Sequence, residues 1–421
     1  MRALGVDVLV ANELLEDRAE IFKQNFPDCE MISGDIRLKK NLIIETAQDC
    51  LSGRNLDVLF ATPPCQGMSK NGRGKLLSGI RAGLKPELDE RNQLIVHAVE
   101  IAKALKPKLI LFENVPEMEN TIIEVNDGQY KNILDYLREE LSPSYVGSAA
   151  VVEFADYGVP QRRQRLITVF SRTPKVSRAV RGGEESWLSP QTHSKTPTLL
   201  QKKWVAVEDV IGHLPPLDAR DETSAKSHIE HHRVPLLDEE KYFWVSNTPL
   251  GKGAFDNQCV NPACRYDSNP VHGSTVCEQG INSSNKTTPV RCISCGNLLP
   301  RPWVRNGDNY KIMSGFTSAY KRMRGDLPAS ALTRNLSYAC SDQKLHPTQN
   351  RVLSLYEAFI IHTISDYEYV WKRADRKKVS DKSIREIIGE SIPPKGLEHA
   401  ASLVIKLLKE DAISENYQKA A

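Results

Sequence analysis

The chain has 421 residues, 40% hydrophobic and 26% charged, with a formal net charge of +3. That length carries two or three domains around a sizeable core, and the near-neutral balance excludes overall charge as a source of nucleic-acid affinity. No run approaches the ~18–20 apolar residues of a membrane span, the interrupted apolar start is a poor secretory signal, and nine unevenly spread cysteines exclude a disulfide framework, so the protein is expected to be cytoplasmic.

Residues 6–11 read as a strand and 17–24 as a helix. A second strand at 57–61 runs into Pro63-Pro64-Cys65-Gln66. A short apolar run ending in a Pro-Pro turn reads as a buried parallel strand feeding a loop. Cys65 then stands at a strand's carboxyl end, where open α/β sheets place their ligands. The segment after it is polar and glycine-rich, with Lys70, Arg73 and Lys75 nearby, the surroundings of a reactive thiol rather than a structural one. An incidental loop thiol is the alternative. A helix at 91–105 and a third strand at 109–112 follow, ending in Glu113-Asn114-Val115. Glu113 occupies its strand end as Cys65 does, which brings both to one sheet edge as nucleophile and proton donor; a capping or solvated carboxylate is the equal alternative. Residues 130–141 read as a helix, and 151–152 and 166–170 flank a turn-rich connection holding Gln161-Arg162-Arg163-Gln164-Arg165. On an extended segment Gln161, Arg163 and Arg165 share a face and can clamp a phosphate or a planar base. The alternation as a whole predicts an α/β fold with a mostly parallel sheet covered on both faces.

Basic clusters at 69–75, 162–165, 321–324 and 372–378 supply local positive charge, and a solvated basic face is the ordinary reading of each, preferred for the last. Past residue 172 the regular periodicity fades, and five of the nine cysteines fall between 259 and 295. The boundaries expected are 1–172, 173–345 for a second module, and 346–421 for a helical return with helices at 353–365 and 397–408. Cys259-x4-Cys264 and Cys292-x2-Cys295-Gly296 form two knuckle-like pairs suited to one four-thiolate zinc ion within 259–295, with Cys277 and His272 as spare ligands. Residues 204–216 and 241–244 are expected to form the module's small core, and His228, His231 and His232 a solvated cluster.

In this order, Pro64-Cys65-Gln66, Glu113-Asn114-Val115 and Gln161-x-Arg163-x-Arg165 resemble the motifs of the cytosine-C5 DNA methyltransferase family. The resemblance covers about 1–172 and 320–410, and extends to Ala11-Asn12-Glu13, Gly34-Asp35-Ile36, Arg351 to Glu357, and Gly389-Glu390-Ser391-Ile392-Pro393-Pro394. It implies a Rossmann-like class I methyltransferase sheet with an inserted target recognition domain. It also implies S-adenosylmethionine held by Glu13, Leu14, Asp35, Ile36, Pro63 and Leu94, and a flipped cytosine met by Pro64, Gln66, Ser69, Asn114 and Gln161. Cys65 would add to cytosine C6, Glu113 would protonate at N3, Arg165 would hold the O2 edge with Arg163 in support, and 66–85 would close as a lid. The partners implied are duplex DNA, bound by a monomer, and a cognate restriction endonuclease. A tRNA cytosine-C5 methyltransferase and an inactive nucleic-acid-binding homologue are the rival readings, the long middle module favouring DNA. Two departures stand out. The family's opening strand and Phe-x-Gly-x-Gly turn have no counterpart, so the first strand is expected to be missing, through a late start, a second polypeptide or decay. Glu390 stands where the family usually has Asn, which puts a cofactor contact in doubt.

Overall fold

The alternating apolar runs build strands β1 (Val10–Glu13), β2 (Glu30–Ser33), β3 (Val58–Ala61), β4 (Leu109–Asn114), the hairpin β5–β6 (Ile122–Asn126 and Gln129–Asn132), β7 (Val146–Glu153) and β8 (Gln164–Ser171). Helices α1 (Glu16–Asn25), α2 (Ile36–Leu51), α3 (Leu94–Leu105), α4 (Ile133–Leu141) and α5 (Pro174–Arg181) are threaded between and after them. The structure, a computed structural model, describes residues 1–64, 89–126, 129–271, 275–276, 282–283, 288–307, 309–313, 318–373, 375 and 378–420. Cys65, Gln66, Ser69, the proposed lid 66–85, His272 and Cys277 lie outside the described residues.

Four strands join in the order β3-β4-β8-β7. β3 and β4 are parallel, whereas β8 runs antiparallel to both β4 and β7. The expected mostly parallel sheet is therefore mixed. The reason is the connection 154–163, a short turn containing the 3-10 segment Phe154–Tyr157, which links antiparallel neighbours without a crossover helix. β4 is buried along its whole length. Its alternation sends Ile110 and Phe112 into one core with Ile95, Val99, Ile133 and Leu137, and Leu109 and Leu111 into another with Ile167, Val169, Ala401 and Val404.

β1 and β2 form a separate parallel pair. Among the described residues neither β1 nor β3 pairs along its second edge, and every residue of both strands is only half-buried. The two sheets are held together by packing of α2 on α3, where Lys40 Nζ lies 2.5 Å from Glu100 Oε2. The first strand starts at residue 10, not 6, because the terminal segment turns away and docks on the C-terminal helix, Lys409 Nζ donating to the carbonyl of Leu4 at 2.7 Å. The helix expected from 130 begins at Ile133, since Gln129–Asn132 pairs in the hairpin and the Asn132 side chain accepts from Leu134 N.

Past α5, regular structure is sparse, as expected: α6 (Glu184–Trp187), α7 (Val207–Ile211) and α8 (Glu239–Ser246), then α9 (Leu355–Ile361), α10 (Asp381–Glu390) and α11 (Pro394–Ala420). Two expectations need correction. Val207, Ile211 and Leu214 pack with Met323, Ala329 and Leu332 but equally with Leu353, Phe359, Ile384 and Ile388 and with Ile21 of α1, so their core is shared with the helical return rather than being the module's own. Trp244 does belong to that core, its ring centroid 5.3 Å from those of both Trp303 and Tyr320. His232 is fully buried rather than solvated, bonded through Nδ1 to Ser354 Oγ at 2.8 Å and through Nε2 to the Pro215 carbonyl at 2.9 Å. His228 is exposed.

Behind His232 lies a buried charge network. Arg351 grips Glu357 through two hydrogen bonds of 2.7 Å, both side chains being at most 1% exposed. Glu357 also accepts from Ser354 N, whose own hydroxyl caps α9. Arg322, equally buried, donates to the carbonyls of Val245, Thr248, His346 and Gln349. These bonds weld the middle module to the helical return.

Candidate active site

The parallel register aligns Ala61 with Phe112, so the turn after β3 and the end of β4 meet at one edge. Asn114 closes that edge: its Nδ2 donates to the Pro63 carbonyl at 3.1 Å, and its Oδ1 accepts from Val115 N at 2.8 Å. The buried amide therefore fixes the Pro63-Pro64 turn beside Glu113, and Pro64 is followed directly by Cys65.

Glu113 is buried, and Arg165 Nε lies 2.7 Å from its Oε1. Burial pushes its carboxyl above the ordinary range, while the charges of Arg165 and Arg163 pull the other way. A carboxyl raised in this manner keeps its proton to higher pH than an ordinary one and can give it up.

The expected three-fold clamp is divided. Only Arg165 faces Glu113. Gln161 is fully buried, its Oε1 accepting from Leu332 N at 3.0 Å and its Nε2 lying 3.2 Å from His362 Nδ1. Arg163 donates to the carbonyls of Leu332 and Gly389, both at 3.0 Å. It lies close enough to Glu113 to act on it through its charge. Gln161 and Arg163 thus tie the Arg165 strand to two distant segments. The buried His362, whose Nε2 meets Ser391 Oγ at 2.9 Å, had no signal in the sequence, since it lies 201 positions from its Gln161 partner.

Of the residues assigned to the cofactor, Glu13, Leu14, Asp35 and Ile36 stand at the carboxyl ends of β1 and β2, and Pro63 follows β3. Glu13 Oε1 accepts from Leu15 N at 3.0 Å, Gly34 N donates to the Glu13 carbonyl, and Asn12 Nδ2 reaches the carbonyls of Ile32 and Gly34. Asp35 caps α2, and its bonds to Arg37 hold its carboxyl below the usual range. Leu94 opens α3, on the helix that packs beside α2. A carboxylate at the end of β1 suits ribose hydroxyls. Leu14 is 61% exposed there, an apolar side chain open to an apolar ligand. The donor set fits a nucleoside-bearing cofactor, with Asp35 already occupied in part by Arg37.

Cys259, Cys264, Cys292 and Cys295 converge as expected, all four sulfurs lying within 4.8 Å of one another. Sulfurs ~2.3 Å from one tetrahedral zinc stand about 3.8 Å apart. Here Cys259–Cys295 is 3.6 Å and Cys264–Cys292 is 3.9 Å, so the cluster has the size of a four-thiolate zinc site. Gly296, at φ +76°, makes the turn beneath it, its N–H donating to the Cys292 carbonyl. The fully buried Arg301 stitches both knuckles together through the carbonyls of Asn257, Pro270 and Pro289.

The model of the C-5 cytosine-specific DNA methylase family matches residues 1–406. The chain belongs to that family. A relative, the type II methyltransferase M1.HgaI of Avibacterium volantium, is 28% identical over 98% of this chain and 94% of its own length. M1.HphI of Haemophilus parahaemolyticus is 27% identical over 58% of this chain and 56% of its own. Among solved structures, a protein assigned as a DNA modification methyltransferase encoded within a prophage (E. coli) superposes with a TM-score of 0.53. It is 17% identical, over 97% of this chain and 94% of that one, a likeness of fold alone. The family fits an S-adenosylmethionine-dependent enzyme of mixed α/β class I architecture acting on DNA. Among the described residues no helix is long and apolar enough to cross a membrane.

Proposed function

We propose that this family member methylates C5 of a flipped-out cytosine in duplex DNA, as the cytoplasmic modification enzyme of a type II restriction system. The observation that supports the reading is the Asn114–Pro63 bond, which holds the Pro63-Pro64 turn, the residues just before Cys65 in sequence, beside a buried Glu113 that Arg165 contacts. Carbon 5 of cytosine is a weak nucleophile. The Cys65 thiolate adds to C6 while Glu113 delivers its proton to N3, so the ring electrons are released toward C5. Bound S-adenosylmethionine supplies an electrophilic methyl group. Loss of the C5 proton then expels Cys65 by breaking the C6–S bond, and Glu113 takes back the N3 proton. Arg165 is assigned to the base's O2 edge and Pro64, Gln66, Ser69 and Asn114 to the base side, while Arg163 and Gln161 keep the Arg165 strand in place. Chemistry at C6 requires the base to leave the duplex stack, and 66–85 is the segment assigned to close over it.

The cofactor is assigned to Glu13, Leu14, Asp35, Ile36, Pro63 and Leu94. Among the described residues β1 and β3 each have an unpartnered edge, which supports a further strand between them, completing the sheet and the cofactor's cradle. The residues 173–345 are assigned to target recognition, with 1–172 and 346–421 forming the catalytic part, and a monomer acting on DNA with a cognate endonuclease as its functional partner. Labelled methyl transfer from S-adenosylmethionine is expected into duplex DNA and not into tRNA transcripts; the opposite pattern would reverse the choice of substrate.

Zinc at Cys259, Cys264, Cys292 and Cys295 is assigned a structural role, since the surrounding segment has few regular elements to hold its shape. Atomic absorption is expected to find about one zinc per chain. Cys292→Ser should release it and expose the knuckles to proteolysis, while unchanged metal content in that variant would exclude the site.

A further inference from the structure

Glu390, the residue that departs from the family pattern, has well-defined partners. Its Oε2 lies 2.6 Å from Arg18 Nη1 of α1, and its Oε1 lies 3.5 Å from Arg334 Nη1. Arg18 and Glu390 are each less than one-third exposed, so their attraction is only partly screened. An asparagine is neutral and cannot form ion pairs with two arginines.

The backbone around Glu390 is a crowded junction. A Cβ on Gly389 would fall 2.2 Å from Arg334 N and 2.6 Å from the Thr333 carbonyl carbon, so the chain at 389 lies flat against the chain at 333–334 and only glycine fits. Arg163 bonds both sides of that contact, through the carbonyls of Leu332 and Gly389. Ser391, one residue on, is held by His362, which in turn meets Gln161. Three parts of the molecule converge here: the helix that follows Glu13 and Leu14, the segment leaving the middle module, and the strand that carries Arg165.

We infer that Glu390 is a positioning residue that fastens α1, and with it the cofactor edge, to the Arg163 junction. The inference rests on the methyltransferase reading above. Because Arg18 sits one turn after Leu14, releasing it loosens the start of α1 and the Glu13–Leu15 corner, while Asp17–Arg373 and Glu16–Ser33 keep the helix docked. The junction itself retains its main-chain bonds from Arg163. The loss should therefore appear in cofactor affinity and spare DNA affinity and the rate at saturation.

The test compares the unsubstituted protein with Glu390→Gln, Arg18→Met and the double variant, using S-adenosylmethionine and duplex DNA as separate titrants. Each single variant is expected to weaken S-adenosylmethionine binding about two- to fivefold, the range of a partly exposed ion pair. The double variant should be no worse than either single one. KM for DNA and kcat at saturating cofactor should stay within about twofold, since the junction bonds are untouched. Additive losses in the double variant, or equal losses in both KM values with a lowered melting temperature, would show a merely structural residue and overturn the inference. Unchanged cofactor affinity with methylation intact would overturn it too, leaving the methyltransferase reading in place. Failure of the unsubstituted protein to bind S-adenosylmethionine would defeat that reading and this inference together.

Discussion

Cys65→Ser is expected to reduce methyl transfer to DNA by roughly 10⁴-fold or more, because a serine hydroxyl is not ionised at neutral pH and cannot add to C6. Retained methylation would remove Cys65 as the nucleophile. Glu113→Gln should cost about 10²–10⁴-fold, the usual contribution of a placed acid. The pH dependence separates the two roles. Burial raises the Glu113 pKa, so the acid form needed for addition is lost as pH climbs through that raised value. The thiolate fraction of Cys65 rises in the opposite sense. The product is a bell-shaped profile in the unsubstituted enzyme, and in Glu113→Gln the falling limb should vanish. A bell that survives intact in Glu113→Gln would exclude the carboxyl as the titrating acid.

Arg351→Met is expected to destabilise the fold by about 3–5 kcal/mol, since it strands Glu357 as an unpaired buried charge. Two bonds of 2.7 Å join the pair with essentially no water contact. Burial alone would resist ionisation of Glu357, yet Arg351 holds its carboxyl below the ordinary range. A carboxyl lowered on folding stabilises fully above its unfolded pKa, and that contribution fades as pH falls through the lowered value. Arg351→Met should therefore lose its disadvantage progressively in acid. Chemical denaturation at neutral pH and at pH 4 measures both effects, and a neutral-pH loss under 1 kcal/mol would show the network to be dispensable.

The strand ends were the most legible part of the candidate site, because an apolar run and its end are visible in a one-dimensional pattern: Glu113 stands on β4 where the pattern puts it, and the Pro63-Pro64 turn follows β3. The four knuckle cysteines were legible for a similar reason, their spacing being local. Gln161 and Arg163 were not, because alternation places side chains on faces but does not say what the opposite face meets. What they meet, Leu332 and Gly389, lies 169 and 226 positions away from Arg163. The same limit hid His232, which looks polar in sequence and becomes core only when Ser354 arrives from the helical return. The mixed sheet was misread because strand–helix alternation holds as far as β4 and then gives way to the tight β7–β8 connection.

The gap between β1 and β3 also bears on how the protein behaves in bulk. Among the described residues, each strand has no partner along one edge, and its side chains are only half-covered. Such an edge pairs with whatever extended chain comes near, including another copy of itself. Wherever that gap stands uncovered, the molecule is a seed for edge-to-edge association, and whatever strand fills it doubles as a guard against aggregation.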